Sequence, residues 1–205
     1  MTEQVSSEMT QEEKQEVFEE GNEAAPLRKH LGKQVQEFGT VRYRPISLDE
    51  ETRRANSEMV NQTLADTIIL YNLYKKHHWL LTGHTFYQLH LLFDKHAEEQ
   101  EALVDALAER VQTLGGIAVS DPRHVAEITQ IERPPNGAED VPAMLTRLLD
   151  AHEIILRDAR KFVAKAEKNG DGGTADLYQS QIMRTNEFQT WFISEHTVDF
   201  APTSV

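Results

Sequence analysis

The chain contains no cysteine, which removes disulfides, thiolate metal sites and cysteine nucleophiles together. It is short of basic charge: 21 Lys and Arg stand against 34 Asp and Glu, a formal net charge of −13. Sequence-independent binding to a polyanion such as DNA draws mostly on Lys and Arg displacing counterions, so that class is disfavoured and cations are favoured. No apolar run approaches the roughly 20 residues of a membrane span, and no basic start leads into an apolar segment. A soluble, cytoplasmic protein is expected. Strand-like alternation and internal repeats are missing too. At 205 residues the chain suits one domain with a sizeable core, and a second independent domain is not expected.

What is present is helical. Residues 1 to about 25 are Glu-rich with too few apolar side chains for a core, as in a disordered or loosely helical tail. A short basic interlude (Arg28, Lys29, His30, Lys33) and the extended-looking GTVRYRPI follow, read as a solvated arm rather than a nucleic-acid contact. Ser47 with Glu50 forms a capping box, and the residues from 48 to about 81 recur near the helical period with no Pro or Gly before Gly83. A second helix is predicted over 85–114, closed by Gly115 and Gly116. A long connection holds a short helix from Pro122 to Thr129. Helices over about 140–168 and 174–196 complete an all-α, ferritin-like four-helix bundle with one long crossover. The expected organisation is a tail and arm over 1–46, the bundle over 48–196 and a C-terminal tail over 197–205.

The chemistry concentrates between His77 and Glu109. His78, His90, Asp94, Asp105 and Glu109 are imidazole and carboxylate donors of the kind that Fe(II) and Mn(II) prefer. Asp94 and Asp105 lie roughly 16 Å apart along one helix, far beyond the reach of a shared metal, yet only about 20° apart around it. One helix therefore carries two half-sites on one stripe. They can meet only where a second copy runs alongside in the opposite direction, as a two-fold axis places it. A di-iron centre inside one bundle uses Glu-x-x-His pairs, and none is present. Each histidine or carboxylate taken singly is more often a surface residue or a satisfied core group. His77, His84, His96, His124, His152 and His196 are read as structural, with His77 and His84 as candidates to buttress the ligands.

The segments HHW at 77–79, LHLLFD at 89–94, DALAER at 105–110 and LGG at 114–116 resemble the signature of the Dps family, the DNA-binding proteins from starved cells or mini-ferritins. A His before Trp, a second His after twelve residues, Asp four further on, Asp after eleven more and Glu after four are all matched. The resemblance covers residues 48–196. It implies a dodecameric hollow shell with ferroxidase centres at two-fold interfaces, His78, His90 and Asp94 coming from one subunit and Asp105 and Glu109 from its mate. Asp94 with Glu109 holds the tighter iron in that pattern, and Asp105 supports. Trp79 sits beside the centre as an electron donor that quenches radicals; an aromatic core residue is the alternative. The implied activity is oxidation of Fe(II) by hydrogen peroxide or oxygen, with ferric oxide stored inside and Glu98 and Glu101 as cavity-face carboxylates that receive it.

The same resemblance implies iron entry through acidic three-fold pores near the start of the last helix, where Asp171 and Asp176 stand. The spacing from Asp176 to Trp191 is one residue longer than the pattern implies, and Asp171 reads equally as a turn residue between glycines. Members that bind DNA strongly carry Lys- and Arg-rich termini; here the N-terminus is acidic and HTVDFAPTSV has no Lys or Arg, so weak or no DNA binding is expected. The alternatives are a nucleoid-associated, DNA-protecting protein with a vestigial metal site, and a bundle that sequesters zinc or manganese without redox turnover.

Overall fold

The structure, a computed structural model, describes residues 33–198; the acidic tail expected over 1–25 and most of the C-terminal tail lie outside the described residues. The bundle belongs to the compact unit that begins at Gln36. Its first helix, α1 (Glu50–Leu80), is capped by Asp49, whose carboxylate accepts from Thr52 N at 2.7 Å. This corrects the predicted capping box: Ser47 sits outside the helix at a positive φ of 59°, and Asp49, two residues later, takes the cap. Glu50 and Glu51 then place negative charge at the positive end of the helix dipole.

A tight turn through Gly83, at φ 94°, leads into α2 (Phe86–Leu114). The second helix stops where Gly115 adopts φ 90° and gives its N–H to Gln112 and Val111 carbonyls. A side chain at Gly115 would also collide with the carbonyl of Arg42, since a Cβ there would lie 2.2 Å from its oxygen. The arm crosses the helix end at that point. Arg42 N donates to Gly115 O at 2.8 Å, and Arg53 reaches the carbonyls of Arg42 and Leu114.

The crossover holds α3 (Pro122–Ile128), capped by Asp121, and is pinned to α1 by Asp66. That buried carboxylate accepts from Thr129 Oγ1 and Gln130 N, both at 2.7 Å. The fourth element, α4 (Val141–Lys168), starts from an Asp140 cap with Pro142 in its first turn. The last long helix is continuous but not uniform: α5 (Gly172–Leu177), a π-helical stretch (Tyr178–Met183) and α6 (Arg184–Glu195) follow one another with helical dihedrals at each junction. The single α-helix predicted over 174–196 is corrected to this extent. No strand occurs among the described residues, and none of the described helices is long and apolar enough to cross a membrane.

Leu64, Leu70, Phe93, Leu107, Leu148, Ile155, Ile182 and Ile193 are almost completely buried between the four long helices. Each such side chain contributes about 1.5–3 kcal/mol on leaving water, an upper bound given compact unfolded chains. A polar layer cuts across this core. Tyr74 from α1, His96 and Gln100 from α2, His152 from α4, and Asn186 and Gln189 from α6 are all fully buried.

Candidate metal centre

The α1–α2 turn folds the end of one helix onto the start of the next, and His78 meets His90 there. Their rings stack with centroids 3.7 Å apart and 17° between planes, and Phe86 stacks on His90 at 5.0 Å. The two histidines exchange hydrogen bonds with one another's backbone: His78 Nδ1 donates to His90 O at 2.8 Å and His90 Nδ1 to His78 O at 3.0 Å. A carbonyl oxygen only accepts, so each Nδ1 carries the hydrogen. In the neutral rings both Nε2 atoms are left with a lone pair.

Asp94, one turn beyond His90, brings Oδ1 to 3.9 Å from His78 Nε2. The same oxygen is 2.6 Å from Lys75 Nζ. That hydrogen bond, ahead of any other cause, holds the Asp94 carboxyl below its ordinary value and raises the lysine in return. Lys75 is a part of the site that sequence reasoning missed. Its only signal was a cation one turn before His78, indistinguishable in the sequence from a solvated lysine.

Asp105 and Glu109 lie at the far end of α2. Both are exposed, and among the described residues neither carboxylate has a hydrogen-bond or ion-pair partner. Glu98, Glu101 and Asp105 line an open groove on the outer face of α2. No three His, Asp or Glu side chains among the described residues converge on one point suited to a metal. One chain thus pairs His78 with His90 and sets Asp94 beside His78, short of a three-residue site, and leaves the Asp105–Glu109 pair apart, as the spacing along α2 requires.

Trp79 is 71% exposed, so the alternative of a core aromatic is set aside. His84 is exposed. His77 is completely buried with both ring nitrogens unpartnered, and burial pushes its pKa down to about 4, with Lys76, Glu139 and Arg147 as its charged neighbours. It does not buttress the His78–His90 pair.

Asp171 is corrected. It is 2% exposed and caps the last helix, accepting from Thr174 N and Oγ1 at 3.0 and 2.6 Å, from Asn56 Nδ2 at 2.7 Å and from Arg110 Nη2 at 2.5 Å. Burial pushes its carboxyl upward, but these donors outweigh it and hold the group below its ordinary value. A carboxylate so committed is structural and does not face a pore. Asp176 remains exposed.

A family model for the ferritin-like domain matches residues 57–201. An uncharacterised protein from Kitasatospora aureofaciens is 60% identical over 67% of this chain and 92% of its own length. A nutrient stress-induced DNA-binding protein from a Nostoc species is 33% identical over 75% of this chain and 83% of its own. Among solved structures, DpsC from Streptomyces coelicolor aligns with a TM-score of 0.82 at 57% identity, covering 83% of this chain and 99% of that one. A dps-homologue from the archaeon Halobacterium salinarum aligns with a TM-score of 0.80 at 25% identity, over 86% and 98%.

Proposed function

The chain belongs to the Dps family of ferritin-like proteins, and from that premise we propose that it oxidises Fe(II) at centres shared between two subunits. The ferric product is stored inside a dodecameric shell, which limits oxidative damage. The observation that carries this reading is the pair of locked imidazoles. Two stacked imidazoles, one with its Nε2 3.9 Å from the Asp94 carboxylate, and two unpartnered carboxylates about 16 and 22 Å beyond Asp94 along the same helix suit a two-fold axis that joins opposite ends of α2 from different copies.

Iron is the substrate. His78, His90 and Asp94 of one subunit and Asp105 and Glu109 of its mate form the donor set, a mixture of imidazole and carboxylate that suits Fe(II) better than a soft metal. As the cation arrives, Lys75 releases Asp94. Two Fe(II) ions held together give a peroxide both of its electrons at once, yielding two Fe(III) and two hydroxide ions and no hydroxyl radical. Trp79, exposed on each chain next to His78, is covered at the two-fold interface, where it serves as a reserve electron donor. Glu98 and Glu101 offer carboxylates to the ferric product, and Asp176 is the remaining candidate for an entry route.

Relatives carry names that refer to DNA binding, such as the Nostoc protein. The net charge of −13 supports weak or absent DNA binding here. A gel shift with tight complexes at physiological salt would overturn that part.

The test of the main reading is anaerobic addition of Fe(II) to the assembled protein followed by hydrogen peroxide. Ferric absorbance develops rapidly in the wild type. In the Asp94→Ala, Glu109→Ala double variant it falls to the uncatalysed rate while the particle keeps its size. No ferric absorbance in the wild type, or an unchanged rate in the double variant, rejects the proposal.

A further inference from the structure

The buried polar layer has a direction, and it can be read from groups that act only as acceptors. Asn186 Nδ2 donates to Ile182 O at 2.7 Å, which fixes Asn186 Oδ1 as an acceptor. His152 Nδ1 lies 2.8 Å from that oxygen and so carries a hydrogen, leaving His152 Nε2 with a lone pair in the neutral ring. Tyr74 Oη is 2.6 Å from this nitrogen and is therefore the donor. The other side of the phenol oxygen accepts from His96 Nδ1 at 3.2 Å. Gln189 anchors the rest: its Nε2 donates to Glu99 Oε2 and His96 O, so its Oε1 accepts from Gln100. The whole layer thus holds one phenol with its hydrogen aimed at one imidazole base.

Tyr74 is one turn before His78 on α1, about 6 Å along the axis. It packs edge-on to Phe93 with centroids 5.8 Å apart, and Phe93 adjoins Asp94 in α2. We infer that Tyr74 and His152 form a proton-coupled redox pair that supplies one electron to the iron-oxidising centre when only one Fe(II) is bound there. The inference rests on the ferroxidase reading for its oxidant. Hydrogen peroxide takes one electron from Fe(II) and one from the Tyr74 ring. The Tyr74 O–H bond breaks, an N–H bond forms at His152 Nε2, and the products are Fe(III), a neutral phenoxyl radical, an imidazolium and two hydroxide ions.

The surroundings fit this step. Burial holds the Tyr74 phenol well above its ordinary pKa, so it stays protonated until oxidised and needs a base in contact when it is. Burial also pushes His152 down to about 3, with the Asn186 contact opposing. An oxidised phenol is a far stronger acid than that, so the transfer still runs toward the ring. Tyr74 is fully shielded from solvent, and with no cysteine in the chain no thiol competes to reduce the radical.

The experiment loads the assembled full-length protein with one Fe(II) per centre, adds hydrogen peroxide and freezes the mixture for electron paramagnetic resonance. A tyrosyl signal is expected in the wild type and in Trp79→Phe. It drops at least tenfold in Tyr74→Phe, which keeps the ring and its packing. It drops likewise in His152→Gln, which retains an acceptor for the phenol but no base. Particle size and helical circular dichroism check that both variants assemble. A signal at wild-type level in Tyr74→Phe or in His152→Gln overturns the inference, as does one that depends on Trp79 instead. Iron-free protein oxidised with a photosensitiser and persulfate separates this from the ferroxidase reading. If no sample forms Fe(III), the ferroxidase reading fails and the photo-oxidised samples alone decide the redox pair. No tyrosyl signal in the wild type by either route rejects it.

Discussion

At the end of α1 that carries the proposed centre, Lys75 Nζ occupies a position 2.6 Å from Asp94 Oδ1, so a cation arriving there would compete with an ammonium already in place. The pair is partly solvated, with the Asp94 side chain 42% exposed, and such pairs contribute about 0.2–1 kcal/mol. Replacing the lysine removes the competitor without touching a donor atom. Lys75→Met is expected to tighten binding of the first Fe(II) by up to about fivefold, measured by anaerobic titration. Weaker binding in that variant would instead make Lys75 a support that holds Asp94 in position. His78 and His90 differ from Asp94 in this respect. Their Nδ1 hydrogens are bound to each other's carbonyls, so the lone pairs they offer are oriented before metal arrives, and only the carboxylate has to be freed.

The π-helical stretch over Tyr178–Met183 has a mechanical reason. One residue turns an α-helix by about 100°, so an added residue would swing everything after it off the core. A π turn takes up one residue more than an α turn. Thr174 and Leu177 before the stretch, and Asn186, Gln189 and Ile193 after it, consequently share one buried face. Deleting the exposed Gln181, whose side chain has no bond among the described residues, is expected to convert the stretch to regular α-helix. Assembly should persist, with stability changed by less than about 1 kcal/mol, read from denaturant unfolding. Loss of assembly would mean that the π geometry itself is needed. The sequence carried a trace of this insertion in the extra residue between Asp176 and Trp191, but periodicity alone cannot place a single phase slip. Elsewhere the elements were legible because punctuation is local chemistry: Gly115, Asp121 with Pro122, and Asp140 with Pro142 ended or began helices as read. The start of α1 was not, because Ser47 and Asp49 are both competent caps and tertiary contacts chose between them. The stripe of candidate donors was legible as spacing, whereas Asp171 stayed open between pore and turn, since an acid between glycines fits a pore, a turn or a cap alike. The Tyr74–His152 layer left no signal. A histidine in phase with Leu148 and Ile155 looks like any core histidine until the facing helix supplies its partner.

For the whole molecule, the separation of donors along α2 makes a claim about which chains can cooperate. If each centre takes His78, His90 and Asp94 from one copy and Asp105 and Glu109 from the other, a symmetric pair contains two centres. Asp94→Ala alone disables both centres of its pair, and so does Glu109→Ala. When one subunit of each kind pairs, the two lesions fall in the same centre. The other centre receives an intact Asp94 from the Glu109→Ala chain and an intact Glu109 from the Asp94→Ala chain. Random assembly makes about half of the pairs mixed, each with one working centre of two, so co-expressed variants should recover about a quarter of the wild-type centres. Initial rates of Fe(II) oxidation by hydrogen peroxide, normalised to protein, measure this directly against each variant assembled alone. A centre confined to one chain predicts no recovery at any mixing ratio, because every chain in the mixture then carries a damaged site.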